Sequence, residues 1–236
     1  MTQRVNQFGL PIGEDVPGWN GATPPDRIPI EGRYCRLEAL ESARHLDGIF
    51  AAFSHDPEGK LWTYMPQGPF LSRDELAAWM EDAQHSKDPH FYALIDQQTG
   101  QAIGQASYLR IDPSNGVIEV GNIAFSPLLQ RTPKATEAMF LMMKQAFDVW
   151  GYRRYEWKCD ALNAASRKAA ARFGFTYDGL FEQAVIYKGR NRDTTWYSIL
   201  DKDWPRVKHG FETWLSPKNF DETGVQKQKL SDLING

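Results

Sequence analysis

The sequence predicts a mixed α/β domain in which helices are interspersed with antiparallel hairpins. Three observations carry that reading. Stretches alternating apolar and polar residues are joined by tight-turn signals at Thr99-Gly100 and Asn115-Gly116. The elements run strand, two helices, three strands, helix, strand, helix, two strands, which is not the steady alternation of a doubly wound sheet. The chain has 236 residues, 42% of them hydrophobic, enough for one sizeable core.

Residues 1–30 are rich in Pro and Gly and show no periodicity, so they predict an extended N-terminal arm. Phe8, Leu10 and Trp19 suggest that the arm packs on the body. Residues 33–40 predict a first strand. Ser42 offers an N-cap for a helix with Leu46, Ile49, Phe50 and Phe53 at helical spacing. An aromatic loop, 55–70, carries Trp62, Tyr64 and Phe70. Ser72-Arg73-Asp74-Glu75 has capping-box form, and Leu76, Trp79, Met80 and Ala83 make the stripe behind it.

Strands follow over about 90–96, 101–111 and 117–125. The longest helix is expected over 133–150, with Ala135, Met139, Met142, Ala146 and Trp150 on one face and Gly151 as its stop. Tyr155, Trp157 and Cys159 alternate with Arg154, Glu156, Lys158 and Asp160, as in a half-buried strand. Asn163 can cap a short helix ending at Gly174. Strands at about 176–188 and 193–200 are joined by a turn over 188–192. Asp203-Trp204-Pro205 starts a last short helix, and the tail from Pro217 is polar and weakly patterned. The domain division is thus an arm (1–30), a main domain (31–205) and a C-terminal helix with tail (206–236).

Composition removes several classes of function. The net charge is −3 with no long basic block, so neither nucleic acid nor a membrane surface is an expected partner. Cys35 and Cys159 are isolated, and the five histidines lack ligand spacing, so neither a disulfide framework nor a metal site is expected. With no secretory signal and no long apolar span, the expected location is cytoplasmic. Walker A, dinucleotide and Gly-x-Ser-x-Gly motifs are all absent.

The informative stretch is Glu119 to Phe175. A strand ending Ile123-Ala124-Phe125 leads through a polar loop into the longest helix at Gln130-Arg131-Thr132-Pro133-Lys134-Ala135-Thr136. A helix start presents unpaired amides and partial positive charge, which suits a diphosphate, and Arg131 and Lys134 add formal charge. Asn163-Ala164-Ala165-Ser166 and Arg172-Phe173-Gly174-Phe175 follow. Then come Lys188-Gly189-Arg190-Asn191-Arg192-Asp193, Trp196 and Trp204-Pro205.

In this order the blocks resemble the GNAT superfamily of N-acetyltransferases, in the branch of the ribosomal-protein N-terminal acetyltransferases, over residues 33–205. The resemblance implies a central, mostly antiparallel, splayed sheet of six to seven strands flanked by about four helices. It implies acetyl-CoA as acyl donor and a primary amine as acceptor, with no metal. The implied cofactor contacts are Ile123, Ala124, Phe125, Gln130, Arg131, Thr132, Lys134, Ala135, Thr136, Asn163 and Ser166. Pro133 departs from the family's glycine: it removes one amide donor but fits the first turn of a helix.

Glu119, among Ile118, Val120 and Ile123, is the candidate base, because burial raises a carboxyl's pKa; a strand glutamate facing solvent or pairing with an arginine is the alternative. Ser166 is the candidate acid for the leaving thiolate, or a first-turn serine capping its own helix. Trp62, Tyr64 and Asn122 are candidates for the acceptor site, although Trp62 and Tyr64 could equally close the core below their loop. Two further readings stay open: a non-catalytic acyl-CoA sensor, and an arm acting as a partner-contact or subunit-exchange element in a homodimer.

Overall fold

The computed structural model describes residues 4–236. Eight strands form a single open sheet: β1 (Ile30–Glu31), β2 (Cys35–Ala39), β3 (His90–Asp96), β4 (Ala102–Asp112), β5 (Val117–Phe125), β6 (Arg154–Asp160), β7 (Thr176–Tyr187) and β8 (Arg190–Leu200). The spatial order is β1-β2-β3-β4-β5-β6-β8-β7. Every neighbouring pair is antiparallel except β5 and β6, which are parallel. The helices are α1 (Ser42–Phe53), α2 (Arg73–Ala83), α3 (Pro133–Lys144), α4 (Ala164–Arg172), α5 (Trp204–Leu215) and α6 (Leu230–Asn235). The predicted mixed, mostly antiparallel architecture holds, with one or two more strands and two more helices than expected.

Two cores lie on opposite faces of the sheet. On one face α3 inserts Met139, Met142 and Met143, and the turn that follows it Ala146, against Tyr108, Ile118, Val120, Tyr155 and Trp157. Phe140 and Phe147 of this layer stack on Trp204 and Phe211 of α5. On the other face α1 and α2 pack Leu46, Ile49, Leu76 and Met80 over Phe91, Ala93, Ile95 and Ala124. Burial of large apolar side chains at roughly 25 cal/mol per Å² is the main term holding both layers.

Local signals set many boundaries. Ser72 Oγ accepts from the Glu75 amide, completing half of the predicted capping box. Glu75 reaches one residue further back than expected, to the Leu71 amide at 2.7 Å. Asn115-Gly116 lies in the β4–β5 loop, where Asp112 accepts from both Ser114 and Asn115. Pro133 occupies the first turn of α3, which continues through a π-helical segment to Val149 and stops before Gly151 at φ +75°.

Several expectations are corrected. Ser42 is the first residue of α1 and not its cap: the Ser42 amide donates to Gln84 Oε1, and His45 Nδ1 accepts from the Glu41 amide. The turn between β7 and β8 shrinks to Lys188-Gly189, both at positive φ, so β8 starts at Arg190. α5 runs for 12 residues. Within the polar, weakly patterned tail, α6 buries Leu230 and Ile234. A Cβ on Gly210 of α5 would lie 2.5 Å from Ile234 Cγ1, so only glycine allows that approach. In the arm Trp19 packs as expected, its indole donating to the Ser114 carbonyl beneath Arg153. Phe8 and Leu10 instead remain exposed on a small hairpin closed by the Val5–Pro11 bridge. Finally, β6 is not half buried: Glu156 and Asp160 are as covered as Tyr155 and Cys159.

Candidate active site

The site forms where β5 and β6 part. Their parallel pairing runs from Val117–Arg154 to Val120–Trp157 and ends there, although both strands continue. β6 stays with β8 through Asp160. β5 stays with β4, but Ala106 faces the two residues Asn122 and Ile123, a bulge with Asn122 at φ +48°. From Gly121 to Phe125 the edge of β5 turned toward β6 therefore has no strand partner. Asn122 is fixed by its side-chain amide on Ser107 Oγ at 2.9 Å.

α3 begins beside the end of this gap. Thr132 caps it, its Oγ1 accepting from the Ala135 amide at 3.3 Å. Arg131 is held at φ +60° in the preceding loop. The amides of Arg131, Thr132 and Lys134 donate to no other described residue, so they are free for an anion, and the helix start favours negative charge there. The chain therefore fits a diphosphate at this junction. Other groups expected at the cofactor have partners within the chain. The Ala135 amide is used by the cap. Lys134 Nζ is engaged by Asp96 at 2.7 Å. Thr136 is buried and accepts from Arg172 at 3.1 Å. Gln130 donates its side-chain amide to the Phe125 carbonyl, bracing the loop on the end of β5.

Across the gap, Asn163 caps α4 by accepting from the Ser166 amide at 3.0 Å. Ser166 Oγ accepts from the Trp157 indole at 2.9 Å, which leaves its own proton available to donate. Ser166 thus meets Trp157, the last residue of β6 paired with β5.

The face of β5, β6 and β8 turned away from α3 carries charge. Glu119 accepts from Arg110 Nη1 at 2.7 Å and from Lys158 Nζ at 2.9 Å. Lys158 also meets Glu156 at 2.7 Å and lies under the Trp196 ring, 3.7 Å from its centroid. Glu156 pairs with Arg154, which pairs in turn with Asp178. Burial pushes the Glu119 carboxyl above its ordinary value, and Lys158 and Arg110 only partly offset that push. Glu119 is thus both buried and paired with an arginine.

A roof covers this face. The helical turn Lys60–Trp62 lies against β5. Trp62 is a core residue, 4% exposed and edge-on to Phe53 and Phe70, which decides between its two roles in favour of packing. Tyr64 is half-exposed, and its hydroxyl bridges to the Leu162 carbonyl beside α4. From the β7–β8 turn, Lys188 donates to the carbonyls of Trp62 and Gln67, and Arg190 to that of Thr63. Tyr187 donates to the buried Asp160. Sequence reasoning missed Lys158, Glu156, Arg110 and the Lys188–Arg190 clamp. The alternating charges of β6 were the available signal, but alternation alone reads as a solvent face.

Residues 35–176 match the model of the acetyltransferase (GNAT) domain. A GCN5-related N-acetyltransferase from Brucella melitensis is 46% identical, with 94% of this chain and all of that one covered and a TM-score of 0.92. A probable GNAT-family acetyltransferase from Chromobacterium violaceum is 39% identical over 83% of this chain and 98% of its own, with a TM-score of 0.77. A Salmonella typhimurium acetyltransferase that modifies the N-terminal serine of a 50S ribosomal subunit protein shares the fold at 20% identity. There the coverage is 73% and 99% and the TM-score 0.62. No curated protein matches the chain. The protein is an acyltransferase. It belongs to the GNAT acetyltransferase family. Among the described residues no helix is long and apolar enough to cross a membrane, and no group of side chains is arranged to hold a metal ion.

Proposed function

We propose that the chain transfers an acetyl group from acetyl-CoA to a primary amine. The observation that carries this is the parting of β5 and β6 beyond Val120 and Trp157, with the three free amides at the start of α3. The amides of Arg131, Thr132 and Lys134 would hold the diphosphate, with Arg131 supplying charge. The open edge Ile123–Phe125 and the Asn163 side chain would hold the pantetheine arm. When bound, the donor supplies an activated thioester.

The residues of the chain do the rest. An amine must be uncharged to attack, and a lysine-type amine with a pKa of about 10.4 needs more help than an α-amine near 8. Glu119, its affinity for a proton raised by burial, accepts the amine's proton directly or through a water. Ser166, whose hydroxyl proton is left unused by the Trp157 contact, would protonate the departing thiolate. Asn122 and Tyr64 flank the acceptor, and the roof over residues 60–70 excludes water from it. Holding the two reactants together contributes much of the acceleration.

The test is release of free CoA thiol from acetyl-CoA, measured against peptides with free N-termini, amino acids and polyamines. Release that depends on at least one primary amine is expected. Acetyl-CoA binding without release across the whole panel would overturn the proposal.

A further inference from the structure

The charged array beneath the roof contains more than the base, and its geometry is directional. Both cations that touch Glu119 grip the same oxygen, Oε2. Oε1 accepts from no described residue. It points along β5 toward Gly121, where a Cβ would lie 3.6 Å from it. Gly121 is the first residue of β5 beyond the paired stretch. The free oxygen of the carboxylate therefore faces the opening between the strands.

Two cations could enforce this orientation, and they differ in kind. The Arg110 side chain is 58% exposed, so solvent screens it and leaves it mobile. The Lys158 side chain is only 5% exposed. It follows Trp157, the last residue of β6 paired with β5, and so stands at the mouth of the opening. Its ammonium is held by Glu119, by Glu156 and by the Trp196 face. We infer that Lys158 is a positioning residue that pins Glu119 by one oxygen, keeps the other aimed at the acceptor amine, and balances the charge of the two buried carboxylates. This rests on the acetyl-transfer reading and assigns a role that the reading does not require.

The charged groups facing Glu119 are few. Arg110 comes from β4. Lys158 and Glu156 come from β6, and Arg154 and Asp178 stand behind Glu156. The roof directs Lys188 and Arg190 to backbone carbonyls and away from the carboxylate. Removing Lys158 thus leaves Glu119 beside Glu156 with the screened Arg110 as its own remaining cation contact, while Glu156 keeps Arg154.

The experiment uses the full chain carrying ¹³C-labelled glutamate carboxyls, with Glu119 assigned through Glu119→Gln. The Glu119 titration is followed in wild type, Lys158→Met and Lys158→Arg, alongside the pH profile of amine-dependent thiol release. In Lys158→Met the Glu119 midpoint is expected to rise by about one unit or more. The acid limb of the profile should follow it, kcat should fall about tenfold or more, and the KM for acetyl-CoA should stay within about twofold. Lys158→Arg keeps the charge and should restore most of the limb. Should Lys158→Met fail to fold, Trp196→Leu loosens the same ammonium and should raise the midpoint in the same direction. A Glu119 midpoint that does not move in folded Lys158→Met or Trp196→Leu overturns the inference even if wild type transfers acetyl groups. Absence of transfer by wild type overturns the functional reading, while the titration still decides the coupling.

Discussion

The two faces of β5 and β6 are built from the same strands, and both are covered, yet their chemistry is opposite. Toward α3 they present Ile118, Val120, Tyr155 and Trp157, sealed by methionines and aromatic rings. Away from α3 they present Glu119, Glu156 and Lys158, sealed by a loop and by a hairpin tip whose Lys188 and Arg190 donate hydrogen bonds to the loop's carbonyls. Burying charges is costly, and replacing such arrays with apolar residues is often neutral or stabilising. The apolar face accounts for the stability of the fold, whereas the charged face needs a different explanation, and proton transfer beside the opening provides one.

That contrast is exposed by mutation. Glu119→Gln is expected to lower kcat/KM about 10²–10⁴-fold while leaving the melting temperature near that of wild type. Full activity in this variant would remove the base from the account. Ile118→Ala, on the opposite face one residue earlier, should do the reverse. It should destabilise the protein by about 2–5 kcal/mol in denaturant titrations while the folded fraction keeps its turnover. Equal damage to stability and turnover by both substitutions would erase the distinction between the faces.

A smaller effect appears in acid. Hydrogen bonds from Asn115 and Ser114 lower the Asp112 carboxyl to about 2. Burial works to raise Asp96, but Lys134 and the Gln98 amide outweigh it and hold it below its ordinary value. Both bind protons less readily folded than unfolded, so their stabilisation is complete above the unfolded pKa and is lost as pH falls toward 2. Glu119 has the opposite sign: its carboxyl is raised in the fold, so its protonation on acidification favours the folded state. The melting temperature should therefore fall below about pH 4, and more steeply in Glu119→Gln, which lacks the offset. A shallower fall in that variant would contradict the sign assigned to Glu119.

What the sequence disclosed was local. Asn115-Gly116, Thr132-Pro133, Gly151 and Asn163 each act within a few residues, and the hairpin, both ends of α3 and the start of α4 were legible from them. So was Glu119, because it interrupts an apolar run. The remainder depends on distant partners. The start of α1 is satisfied by Gln84, 42 residues away, so the serine there read as a cap. The polar side of β6 is covered by the 60–70 loop, clamped by residues more than 100 positions along, so its alternation read as a solvent face. α6 rests on the missing side chain of Gly210, which no periodicity in the tail encodes. Lys134 looked available for phosphate because its acceptor, Asp96, lies at the end of β3, 38 residues away.

The central claim is that the opening between β5 and β6 seats the acyl donor. A crystal structure of the protein with saturating acetyl-CoA tests it most directly. The account predicts diphosphate oxygens within hydrogen-bonding distance of the Arg131, Thr132 and Lys134 amides, with the thioester beside Asn122 and Ile123. A nucleotide bound elsewhere, or an empty opening at saturation, would contradict it.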